Sequence, residues 1–77
     1  MNRSEIAETV KEVISKKILI AESDIFETHS LFVDLNLTSL EQQELLLRIE
    51  EEFGVDLSED REINTVGDIV DILIDKL

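Results

Sequence analysis

The stretch Ser39-Leu40-Glu41-Gln42-Gln43-Glu44-Leu45-Leu46-Leu47-Arg48-Ile49-Glu50-Glu51-Glu52-Phe53-Gly54 decides the fold. Leu45, Leu46, Ile49 and Phe53 fall on one face at about 100° per residue, the mark of an amphipathic helix. Ser39-Leu40-Glu41-Gln42 reads as a capping box, with Ser39 as N-cap and Gln42 reaching back to it. Gly54 ends the helix, where a left-handed residue is cheap.

Working outward, Ile6, Val10, Val13 and Ile14 recur at helical spacing and predict a helix over about residues 3–17. Asn2 and Glu5 form its expected capping box. Downstream, Val55-Asp56-Leu57 leads to a short helical turn near residues 59–62. Thr65-Val66-Gly67-Asp68 reads as a third capping box, and Ile69, Val70, Ile72, Leu73 and Leu77 supply the buried face of a last helix. Between the first two helices, residues 19–38 have no clean period. A loop of that length in so small a chain is unusual and often functional. Its apolar residues, Ile25, Phe26, Leu31, Phe32, Val33, Leu35 and Leu37, are expected to pin it across the bundle. The expected architecture is all-α, one domain over residues 1–77: a four-helix bundle with three main helices, one short helix and a long loop between the first and second.

Composition agrees. The 77 residues include no Pro or Cys, two Gly, and no Trp or Tyr, which suits helices better than a turn-rich sandwich. Without Cys there is no disulfide or thiolate metal site. No apolar run approaches membrane-spanning length, and Met1-Asn2-Arg3-Ser4-Glu5 lacks the regions of a signal peptide. A cytoplasmic, monomeric protein is expected. The net charge of −12 argues against nucleic acid and for partners with basic patches. That charge is uneven. From Asp34 to Glu62 there are ten acidic residues against Arg48 and Arg61, whereas the first helix is close to neutral. Such a run serves either as a solvated face or as a docking surface.

No catalytic set is present. His29 stands without the converging ligands a metal needs, so it reads as a loop surface or hydrogen-bonding residue, and no nucleophile, base and oxyanion set can be named. Ser39 is explained by its capping role alone. Its setting is nonetheless suggestive, because a phosphodiester there would be favoured by free N–H groups and the helix dipole.

Asp34-Leu35-Asn36-Leu37-Thr38-Ser39-Leu40, then Glu44-Leu45, then Ile49-Glu50-Glu51-Glu52-Phe53-Gly54-Val55 strongly resembles the acyl carrier proteins of fatty acid and polyketide synthesis. The resemblance extends to Ile63-Asn64-Thr65-Val66-Gly67-Asp68. It implies that Ser39 receives 4′-phosphopantetheine from coenzyme A through a carrier-protein synthase (a phosphopantetheinyl transferase). It implies an arm whose thiol holds acyl groups as thioesters, and a carrier with no catalytic activity of its own. The lack of Cys is consistent, since no competing thiol exists. The second helix is then the face that meets acyl-loading, acyl-transfer and condensing enzymes. Leu40, Glu44, Leu47 and Glu51 form a stripe opposite its core face, with Arg48 as the one cation. Arg48 either pairs with Glu44 or Glu52 at helical spacing or discriminates between partners.

The family usually has Asp before the modified Ser, and this chain has Thr38. The change points to a specialised carrier, a different synthase or weaker modification. Two rivals stay open. An aminoacyl or peptidyl carrier of a nonribosomal pathway often has Gly-Gly where this chain has Asn36-Leu37. An unmodified acidic interaction module would keep the fold and lose the arm.

Overall fold

The computed structural model describes residues 1–57 and 62–77. Among the described residues three α-helices follow one another: α1 (Arg3–Ile18), α2 (Ser39–Phe53) and α3 (Val66–Lys76), with a 3-10 turn at Glu22–Asp24. The expected short turn near residues 59–62 falls largely on residues outside those described. Among the described residues the only β pairing is an isolated bridge between Ser30 and Thr65.

Each helix begins on a reciprocal capping box. In α1 the Asn2 side chain accepts from the Glu5 N–H at 2.9 Å and Glu5 accepts from the Asn2 N–H at 3.1 Å, as expected from sequence. In α3 Thr65 and Asp68 do the same. The Asp68 carboxylate is held below its ordinary range by hydrogen bonds from the Asn64 and Thr65 N–H groups, each 2.9 Å. The helix ends differ. Gly54 takes the left-handed conformation at φ 67°, as its residue type suggests. Leu19 ends α1 at φ 60°, a conformation that L side chains rarely adopt. It is fixed there by its N–H to the Ser15 carbonyl, 2.8 Å.

The core is one cluster. Ile6, Ala7, Val10, Val13 and Ile14 come from α1, Leu45 and Ile49 from α2, and Val66, Ile69, Val70 and Leu73 from α3. Leu46, Phe53 and Ile72 pack against it partly buried. Leu77, expected in the buried face, is exposed, because α3 ends at Lys76 and Leu77 lies past the helical face that carries Ile69, Val70 and Leu73 into the core. α1 is the common partner and packs against both α3 and α2.

The long loop is pinned by four of its seven apolar residues. Ile25, Leu31, Leu35 and Leu37 are buried, while Phe26, Phe32 and Val33 are exposed, contrary to expectation. For Phe32 and Val33 the reason is a turn at Ser30–Asp34. The N–H groups of Asp34 and Leu35 both donate to the Ser30 carbonyl, and the Asp34 carboxylate accepts from the Ser30 N–H at 2.7 Å. In that helix-like turn Leu31 and Leu35, four apart, share the inner side, leaving Phe32 and Val33 outside. Asn36 then bends the chain at φ 56°, a conformation Asn tolerates.

The loop is also laced to the start of α3. Leu31 N–H donates to Asn64 O (2.8 Å), Val66 N–H to His29 O (3.1 Å) and Gly67 N–H to Glu27 O (2.9 Å). A Cβ on residue 67 would stand 3.1 Å from Glu27 O, so this close approach suits glycine. Arg3 adds a clamp, bridging Glu27 of the loop and Asp71 of α3 at 2.7 Å for the latter. His29 is a hydrogen-bonding residue, its Nδ1 accepting from the Phe26 N–H at 3.1 Å.

Candidate functional site at the start of α2

The loop delivers the chain to α2 through Leu37, whose buried side chain and N–H to Leu31 O (2.9 Å) fix the entry. The cap is Thr38, not Ser39. The Thr38 hydroxyl accepts from the Glu41 N–H at 3.2 Å, and Glu41 accepts from the Thr38 N–H at 2.9 Å. Gln42 does not reach back to Ser39. It donates to the Leu37 carbonyl at 3.0 Å. The sequence offers Thr-x-x-Glu and Ser-x-x-Gln one residue apart, and a charged carboxylate makes the stronger return bond. The Thr38 N–H and then the Thr38 hydroxyl hold the Glu41 carboxyl below its ordinary range.

This correction changes what Ser39 is. As the first residue of α2 it is exposed, and its hydroxyl makes no hydrogen bond among the described residues. The N–H groups of Ser39 and Leu40 likewise have no acceptor among the described residues, while those of Thr38, Glu41 and Gln42 are all bonded. Two free donors at the positive end of a helix, beside an unbonded hydroxyl, fit a phosphate ester at Ser39 Oγ.

Beyond Ser39, α2 buries fully only Leu45 and Ile49 of its 15 residues, so most of the helix faces outward. Leu40 and Leu47 are 65% and 58% exposed, large apolar side chains with no cover. Glu51 and Arg48 are exposed beside them. Neither expected partner of Arg48 is used: among the described residues Arg48 is in no ion pair. Glu44 is bound instead to Lys17 of α1 at 3.1 Å, and the Lys17 side chain is mostly covered, at 14% exposure. Lys17 escaped the sequence reading because the pair crosses between two helices. No spacing rule within one helix reports such a pair.

Comparison with known proteins completes the picture. Residues 8–73 match the family model described as the phosphopantetheine attachment site.

The chain belongs to the acyl carrier protein family.

It is 41% identical to the acyl carrier protein of Thermotoga maritima over 78 residues, spanning 99% of this chain and 96% of that one. It is 34% identical to that of Thermosynechococcus vestitus over 79 residues, covering 100% and 98%. A solved structure of the acyl carrier protein from Enterococcus faecalis superposes with a TM-score of 0.79 at 30% identity, covering 100% of both chains. The all-α bundle is thus that of acyl carrier proteins, and the cofactor of the family is 4′-phosphopantetheine. Among the described residues, no helix of this carrier is long and apolar enough to cross a membrane.

Proposed function

We propose that this protein carries acyl groups for fatty acid, polyketide or related lipid biosynthesis, on 4′-phosphopantetheine attached at Ser39. The observation that carries the reading is the Ser39 hydroxyl, exposed and unbonded on the first turn of α2 beside two free N–H groups. The attached group supplies a thiol that holds acyl chains as thioesters. Ser39 Oγ is the nucleophile of attachment. It attacks the coenzyme A pyrophosphate, gains the ester bond to phosphorus and releases the nucleotide. Because Glu41 is turned to the Thr38 N–H and no described residue bonds the Ser39 hydroxyl, the base that takes its proton comes from the synthase. The N–H groups of Ser39 and Leu40 then face the ester's negative charge. The test is intact mass after incubating the purified chain with coenzyme A and a promiscuous synthase. One phosphopantetheine addition is expected, and an unchanged mass contradicts the reading.

The outward face of α2 is proposed as the docking surface for the synthase and for acyl-loading, acyl-transfer and condensing enzymes. Leu40 and Leu47 give apolar contact, Glu51 and Glu44 an acidic rim, and Arg48 a cation that selects among partners. Leu47→Asp is expected to slow acyl transfer to a partner by about 30-fold, the size of a modest hot spot. Glu51→Lys is expected to slow it by about tenfold at low salt, with the deficit shrinking as salt rises. Both variants keep wild-type helical content, since neither side chain is buried. Glu44→Lys is a poorer probe, because it also sets two cations together at Lys17. Transfer rates beside circular dichroism decide the matter. Full activity in both Leu47→Asp and Glu51→Lys places docking on another face.

A further inference from the structure

The start of α2 contains two overlapping capping boxes. Thr38 with Glu41 is the one in use. Ser39 with Gln42 is a second, displaced by one residue. Ser caps at least as well as Thr, so the cap residue alone does not favour the observed register. Three contacts do. Glu41 returns a charge-assisted bond to the Thr38 N–H at 2.9 Å, where negative charge also suits the helix dipole. The Gln42 side chain is engaged with Leu37 O at 3.0 Å and is withheld from the rival box. The Gln42 N–H donates to Thr38 O at 2.9 Å, a helical bond the displaced register would break.

The registers differ in what they do to the nucleophile. With Thr38 as cap, Ser39 lies inside the helix and its oxygen is unbonded. With Ser39 as cap, its oxygen would accept a backbone N–H and its backbone would turn extended. Resting on the assignment of Ser39 as attachment point, we propose that Thr38 and Glu41 are positioning residues for loading: they hold α2 in the register that leaves the Ser39 hydroxyl free.

Thr38→Ala removes the cap oxygen of the working register and leaves the rival box whole. Loading from coenzyme A by a promiscuous synthase is expected to fall about 2- to 30-fold in kcat, the factor carried by one lost cap, with KM for the carrier unchanged. Thr38→Asp restores a cap oxygen beside Glu41 and is expected to load at least as fast as wild type. Backbone chemical shifts of Ser39 read the register directly. In Thr38→Ala the Ser39 Cα and Cβ shifts move from helical toward extended values, the conformation of a cap residue, and unchanged helical shifts overturn the positioning role. A wild-type chain that takes up no phosphopantetheine overturns the attachment assignment itself. A wild-type chain that loads, with Thr38→Ala equal to it in kcat or slowed only through KM, leaves that assignment standing and overturns the positioning role. Should Thr38→Ala lose its helix, Glu41→Gln decides in its place. It keeps the cap oxygen and weakens the return bond, and a smaller drop in kcat supports the proposal where an undiminished kcat overturns it.

Discussion

Ser39→Ala is expected to abolish phosphopantetheine loading and to leave the fold almost untouched. The two halves of that expectation come from the same geometry. The Ser39 oxygen is the proposed acceptor of the ester bond, so its removal leaves no atom for attachment. The same oxygen bonds nothing among the described residues, because Thr38 is the cap. Its loss therefore falls among ordinary surface substitutions, within about 0.5 kcal/mol, and Ala is the best helix former. Thr38→Ala, one residue away, is expected to cost about 0.5–2 kcal/mol. The measurement is intact mass after incubation with coenzyme A and synthase, beside a thermal melt followed by circular dichroism. Continued mass gain in Ser39→Ala would move the attachment point elsewhere. A melt shifted further by Ser39→Ala than by Thr38→Ala would return the capping role to Ser39.

Leu45→Ala is expected to remove a large part of the stability, and Leu47→Ala almost none. Leu45 is fully buried between α2 and the core, whereas Leu47, two residues on, is 58% exposed. Truncating a buried Leu costs about 2–5 kcal/mol through lost transfer energy and the cavity left behind. A fold of this length holds on the order of 4–12 kcal/mol in total. Leu45→Ala thus removes a large share of that total, while Leu47→Ala stays within about 0.5 kcal/mol of wild type. Urea midpoints followed by circular dichroism compare the two. Equal midpoints would mean that α2 does not present to the core the face described here.

Much of this was legible in the sequence, for identifiable reasons. The buried sets of α1, α2 and α3 follow from apolar spacing because each helix lies against one core. The caps at Asn2 and Thr65 and the stop at Gly54 follow from residue types with few other uses. What escaped was decided by competition or by distance. Thr38 and Ser39 both satisfy the cap pattern, and the choice rests on Glu41 outbidding Gln42, a difference of charge rather than of spacing. Phe32 and Val33 read as anchors because they are apolar, but the Ser30–Asp34 turn points them outward. Leu19 gave no stop signal, since its residue type ordinarily avoids the conformation it adopts. Lys17–Glu44 and the Arg3 clamp join segments far apart in the chain, and local patterns carry no record of them.

That α1 packs on α3 has a consequence for the order of folding during synthesis. Ile6, Val10 and Ile14 are made early, yet the surface that covers them includes Val66, Ile69, Val70 and Leu73. Until those residues leave the ribosome, α1 has only α2 and the loop to pack on, and part of its apolar stripe stays open. The core is therefore completed only when α3 arrives. The contact between α1 and α3 spans most of the fold, and its loop-closure entropy is met late. Up to that moment an emerging chain, its Ser39 already made, shows the part of the α1 stripe that α3 will cover to anything that binds amphipathic helices.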